Sequence, residues 1–437
     1  VCERVVHCLP YSLQGIGGLL NSKDCGRITM KTMKVALLAT AALAAVSVSA
    51  RADDTAAIKA QLEALTARIA QLEAAPAVPV GYSLLTISEG TSTVVPGLGV
   101  DAQQIAREGD KATVIGILPT ADAPASTTIE WSGYVRAAIV YVDYGSGNYS
   151  DNDDLDVYAR GQLKVVGKTD TAVGEVGVQV RMRADFDGKP GSHYSAYDND
   201  VYMKEAWGWW AMTPELTLGG GHTGSLGNIG YGYDGACNCY YTDNADVGFD
   251  PGDTSQFRLS YASGPISAAV ALEDASGNGP NWGYYDSLGV AAEIKYSGDS
   301  FNGEISGIYR SEGDHPSNDG TYRIGAGVGF SLGDMASISV GAQLGGDEND
   351  NDFWGASILA SMNLSDTSHI EAAYGHKEYD YGAGGTYDVD AFLVGLYYDP
   401  VDQLTIGLEA EYIDDENNSN INNDEVMQIG VVTVFRF

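Results

Sequence analysis

In the stretch Val173–Phe186, VGEVGVQVRMRADF, the odd positions from Glu175 onward are Glu175, Gly177, Gln179, Arg181, Arg183 and Asp185. The even positions are Val176, Val178, Val180, Met182, Ala184 and Phe186. One side is apolar and the other charged or minimal. A period of two is the signature of a β-strand, whose successive side chains point to opposite faces. The same split recurs in Tyr322–Leu332, Ile338–Leu344, Trp354–Leu364, Leu404–Tyr412 and Met427–Phe437. In Leu404–Tyr412, for example, Leu404, Ile406, Leu408, Ala410 and Tyr412 share one face, and Thr405, Gly407, Glu409 and Glu411 the other.

Working outward, about sixteen such segments follow one another: 127–142, 154–168, 172–187, 201–212, 215–222, 255–262, 265–273, 286–297, 301–311, 321–332, 336–345, 352–364, 368–378, 387–398, 403–413 and 425–437. Each has about the 9–11 residues that a tilted strand needs to cross a bilayer, or a few more. Short connections (Gly167–Asp170, Ser263-Gly264, Gly298–Ser300, Gly333-Asp334, Ser365–Thr367) alternate with long ones (Asp143–Asp153, Gly188–Asp200, Thr223–Thr254, Asp274–Asp286, Glu312–Gly320, Gly346–Asn351, Glu378–Thr386, Asp414–Asp424). That rhythm belongs to an up-and-down transmembrane barrel with one short-turn end and one long-loop end. A soluble sandwich would have to gather its apolar faces into one core. Sixteen strands with polar, glycine-bearing inner faces would instead enclose water. The expected fold is therefore all-β: a 16-stranded antiparallel transmembrane β-barrel over 126–437.

Composition agrees. The 437 residues hold 24 Lys+Arg against 59 Asp+Glu, a formal net charge of −35, which argues against nucleic acid as a partner. The hydrophobic fraction of 44% is too high for a disordered chain. Gly reaches 55, and Tyr outnumbers Phe by 27 to 9. Such usage suits strands, tight turns and tyrosines at a membrane interface.

The single long apolar run, Val35–Ala50, is too short to span a bilayer as a helix. Lys31 and Lys34 precede it and Ala50-Arg51-Ala52 follows, so 30–52 reads as a cleaved secretory signal peptide with Met30 or Met33 as start. Residues 1–29 carry no usable pattern and read as an upstream artefact. In 53–75, Ile58, Leu62, Leu65, Ile69 and Leu72 form an a/d seam, so an N-terminal coiled-coil helix is expected, ended by Pro76 and Pro79. Residues 76–125 read as a linker with a short hairpin around Leu84–Ile87 and Thr113–Leu118.

The last segment sets Met427, Ile429, Val431, Thr433, Phe435 and Phe437 on one face and stops on Phe437. Here the chain resembles the Gram-negative outer-membrane general porins, and its N-terminal helix with the following prolines resembles the alphaproteobacterial type. The resemblance implies an outer-membrane homotrimer among lipid and lipopolysaccharide, a water-filled channel for passive diffusion of ions and small hydrophilic solutes, and no enzyme activity. It implies that Phe435 and Phe437 act as assembly signal. It also implies that the acidic loop 223–254 folds into the pore, carrying Asp234, Asp243, Asp246, Asp250 and Asp253.

Strand parity directs Arg136, Arg160, Lys164, Arg181 and Arg183 inward, as a basic wall. An arginine facing lipid at mid-depth would cost about 2–4 kcal/mol. Acid on the loop opposite base on the wall would set up a transverse field favouring small polar solutes. The alternative is that these cations pair with lumen carboxylates for stability. The acid excess points to cation preference. Two other functions remain open: an envelope tether using the coiled coil, and a solute-specific channel.

Several signals carry nothing. GYGYDG at 230–235 and GGGHTG at 219–224 lack a βαβ setting. DENDND at 347–352 lacks the EF-hand Gly and final Glu. No cofactor or metal is expected. Cys237 and Cys239 could be a disulfide or free thiols.

Overall fold

The computed structural model describes residues 84–98, 108–118, 126–146, 154–186, 201–230, 233, 239–241, 252–274, 288–310, 321–346, 351–380, 385–417 and 424–437. Every described residue belongs to one compact unit, 52–437. The expected upstream artefact, signal peptide and coiled-coil helix lie outside the described residues.

The strands are β1 (Leu84–Thr91), β2 (Lys111–Leu118), β3 (Thr127–Ser146), β4 (Asp154–Thr171), β5 (Gly174–Phe186), β6 (Tyr202–Ala211), β7 (Leu216–Gly224), β8 (Asp253–Ser263) and β9 (Ile266–Asp274). They continue as β10 (Leu288–Ser297), β11 (Phe301–Arg310), β12 (Thr321–Leu332), β13 (Ala336–Gly346), β14 (Asp352–Ser365), β15 (Ser368–Asp380), β16 (Thr386–Val401), β17 (Leu404–Asn417) and β18 (Asp424–Arg436). From β3 to β18 each strand pairs antiparallel with the next, and β18 returns to β3, with Val434 opposite Arg136. The sixteen expected strands thus form one closed barrel, with no free edge over the described ladder.

The faces are inverted relative to a soluble core. Phe257 is 71% exposed, Ile294 and Ile305 61%, whereas Glu273 and Glu409 are fully buried and Arg181 is 4% exposed. Every one of these follows the sequence parity. Large apolar side chains cover the outside at a density that water would not tolerate, and lipid is the solvent that fits. Outward aromatics gather at both ends. Tyr296, Phe301 and Phe330 cluster near the short turns, with ring centroids 5.7 and 5.4 Å apart. Tyr309 pairs with Tyr322 near the long loops. An aromatic girdle at each interface is what a transmembrane barrel carries.

Short turns use left-handed glycines, Gly264 (φ 57°) and Gly333 (φ 63°), a conformation other residues rarely adopt. One expected turn moves. Residues 167–170 stay in the ladder, Lys168 opposite Gly177 and Thr169 opposite Val176, and the chain reverses at 171–174 instead. A hydroxyl pair, Thr127–Thr169 at 3.0 Å, ties that extension to β3.

Residues read as a linker contribute the β1–β2 hairpin. Phe437 exchanges backbone hydrogen bonds with Gly133, and beyond that point β2 takes over the same edge of β3, Thr113 opposite Trp131. Phe437 and the β1–β2 hairpin therefore share one edge of β3 at the short-turn end.

Candidate functional site

The five expected basic residues do lie on the inner face of β3, β4 and β5, close together, but each has a partner there. Arg160 pairs with Asp185 on β5. Lys164 and Arg181 both reach Glu108, at 3.4 and 3.3 Å, and Arg181 also reaches Glu205 on β6 at 3.2 Å. Arg183 donates twice to Gln162, at 3.0 and 2.8 Å. Arg136 faces two aromatic rings, 4.6 Å from the centroid of Tyr241 and 6.0 Å from that of Tyr240. Strand parity made the positions readable. Their partners were not, because Glu108 precedes the barrel and Glu205 lies on a strand whose register with β5 shifts after Arg181.

Tyr240 and Tyr241 belong to the longest loop, between β7 and β8. Its described residues lie against the inner wall and are held there by wall carboxylates. Ser225 Oγ and the Leu226 N–H donate to Glu273 at 2.7 and 2.9 Å. The Gly230 N–H donates to Glu304 at 3.1 Å. The N–H groups of Tyr240 and Tyr241 donate to the two oxygens of Glu409 at 2.7 and 3.0 Å. Three inward glutamates, on β9, β11 and β17, thus each hold a segment of the loop by charge-assisted bonds, the stronger kind. Leu226 packs on Ala271, Ala291 and Ile308. The rings add to this. Tyr240 meets Tyr397 edge-on at 5.9 Å, and Tyr241 lies 6.1 Å from Tyr158.

Inward glycines make room. A Cβ at Gly325 would strike Ile229, and one at Gly327 or Gly341 would strike Tyr233. Both Gly325 and Gly327 alternate with the outward Ile324 on β12, and the loop seated on them explains why no side chain stands there.

Of the expected loop aspartates, Asp234, Asp243, Asp246 and Asp250 lie outside the described residues. Asp253 is corrected: it is the first residue of β8, opposite Gly224, because Thr223 and Thr254 pair in the ladder, and it pairs with Lys204 rather than with the basic wall. Cys239 is buried and disulfide-bonded. Burial pushes the Tyr233 phenol up to about 12, with Glu304 adding to the shift. Burial also raises the Tyr241 phenol, against the opposing pull of Arg136.

Phe435 and Phe437 face outward at the short-turn end, both more than half exposed. His376, Glu378 and Asp388 bring donor atoms within 4.8 Å of one another, a grouping the sequence reading did not foresee. They sit across the β15–β16 register on the outward face, away from the lumen.

A family model described as Gram-negative porin matches residues 112–432. No curated protein sequence matches the chain. Among solved structures, the outer membrane channel DcaP of Acinetobacter baumannii aligns with TM-score 0.55 at 15% identity, covering 71% of this chain and 98% of that one. The anion-selective porin from Comamonas acidovorans aligns with TM-score 0.53 at 10% identity, covering 71% and 100%. OmpT of Vibrio cholerae lacking its loop L8 aligns with TM-score 0.50 at 14% identity, covering 71% and 100%. At these identities the likeness concerns the fold.

Proposed function

The chain belongs to the Gram-negative porin family, and on that premise we propose that its barrel is a diffusion pore narrowed by the β7–β8 loop and lined by a mixed-charge wall. It is an outer-membrane protein, a passive channel for ions and small hydrophilic solutes. The observation that carries the finer reading is the triple anchorage of the loop on Glu273, Glu304 and Glu409. A loop bound to the wall at three points cannot be swept aside by a passing solute.

Charge in such a pore acts through near pairs. Arg160, Lys164, Arg181 and Arg183 stand within reach of carboxylates or an amide oxygen, so a permeant ion meets alternating partial charges rather than a bare basic wall. This supports weak selectivity, with the acid excess favouring cations. No chemical step is required, and the channel reading leaves no role for a bound cofactor.

Membership of the alphaproteobacterial branch, homotrimer assembly, contact with lipopolysaccharide and export by the 30–52 signal peptide complete the proposal, together with Phe435 and Phe437 as assembly signal and 53–75 as a coiled coil. Single-channel conductance of the purified protein in a planar bilayer tests the core claim. Discrete ohmic steps, together with a size cut-off in sugar-swelling assays, are expected; a protein that inserts without conducting overturns it.

A further inference from the structure

The described residues of the connection between β1 and β2, 92–98 and 108–110, lie against the inner wall near the short-turn end. The Ser92 N–H bonds the Asp110 carbonyl at 2.7 Å and closes the base of this inner loop. On its outgoing side the Thr93 N–H donates to Glu130 at 2.7 Å, and Lys168 reaches Thr93 Oγ1 at 2.6 Å. Val95, 4% exposed, packs on Val166, Trp207 and Trp209. The Gly97 carbonyl accepts from Ser260 at 3.1 Å and from Arg258 at 3.3 Å. On the returning side Glu108 is buried against Lys164, Arg181 and Gln162. All of these wall partners face inward, on β3 to β8. The described residues of the β7–β8 loop contact β9 to β14 and β16 to β4, so that the two linings overlap only on β3 and β4. The lumen is therefore lined from both ends by different segments.

Charge placement makes this lining more than packing. Without Glu108, Lys164 and Arg181 would share the single Glu205 carboxylate that reaches Arg181, a net cationic site on the wall. Such a site attracts small anions at the separations found in a water-filled pore, where screening is incomplete. The carboxylate that faces both comes from outside the barrel strands.

We propose that Glu108, on the returning side of the β1–β2 connection, is the charge-determining residue of the pore's inner lining. Together with Glu205 it balances Lys164 and Arg181, and so denies small anions, carboxylates and chloride alike, a site those cations would otherwise offer. The proposal rests on the channel reading above and adds a second, periplasmic lining to it.

The test uses the full chain in planar bilayers under a KCl gradient. A unit charge passed at about 7 Å in water is worth about one RT, of opposite sign for the two ions, so Glu108→Gln is expected to raise the chloride-to-potassium permeability ratio roughly sevenfold. Glu108→Asp, which keeps the charge, should restore the parent's reversal potential. Val95→Asp, which places a charge among Val166, Trp207 and Trp209, should release the loop and raise conductance. Glu215→Gln, in an exposed turn, should match the parent. An unchanged reversal potential in Glu108→Gln, in a parent that conducts, overturns this inference and leaves the channel standing. A change in thermal stability with no change in reversal potential also overturns it. A parent that does not conduct removes both.

Discussion

Glu409 on β17 accepts the Tyr240 backbone N–H at 2.7 Å across 169 residues of sequence. Its other oxygen takes the Tyr241 N–H, and the Tyr397 hydroxyl adds a third bond at 3.1 Å. One buried carboxylate thereby fixes the far part of the β7–β8 loop. Glu409→Ala should weaken docking there by about 1.5–3 kcal/mol, the usual worth of hydrogen bonds to a charged group. Strand content by circular dichroism should stay the same, while the largest sugar admitted in a swelling assay should increase. An unchanged cut-off would show that the loop does not set the passage.

The glycines under Tyr233 give an independent handle. Gly327→Val places atoms where the Tyr233 ring lies. The loop should lift locally and become open to limited proteolysis, with conductance rising. Gly161→Ala, where nothing lies within 4 Å of the new Cβ, should behave as the parent. Equal protease resistance in the two variants would contradict the seating of the loop on the wall.

The outward face is tested by charge. Ile305, in the middle of β11 and 61% exposed, should face lipid. Ile305→Arg is expected to cost about 2–4 kcal/mol of folding stability measured in bilayers, as a charged residue does at mid-depth on the lipid face. On a water-facing surface the same change would fall within about 0.5 kcal/mol.

Burial holds the Tyr233 phenol neutral up to about 12, above its ordinary value of 10. Because the docked form has the higher pKa, docking keeps this contribution in full below pH 10 and loses it as pH rises towards 12. Conductance should therefore be steady up to about pH 10 and rise above it. Tyr233→Phe, which cannot ionise, should flatten that rise; an equal rise in both proteins would place its cause elsewhere.

Much of this was legible one strand at a time. Alternation in Val173–Phe186 put Arg181 and Arg183 inside and Val178 outside, as found, because the period of two is a property of the local backbone. The rhythm of short and long connections yielded the strand number, since a closed up-and-down barrel needs nothing beyond neighbour-to-neighbour pairing. Boundaries were less secure where a ladder outran its hydrophobic signal, as at Lys168 and Thr169, or where a loop residue joined a strand, as at Asp253.

By itself, then, the amino-acid order determined the alternation, the number of strands and which face meets lipid, all set by neighbours within a few residues. Only the tertiary structure decided that Glu108 sits on Lys164 and Arg181, that Glu409 holds Tyr240 and Tyr241, and that Gly327 lies beneath Tyr233. Those meetings depend on the register of closure and on where residues of two connecting segments meet the inner wall. Neither leaves a periodic trace in the chain, because each partner is selected by position around the ring and not by distance along it.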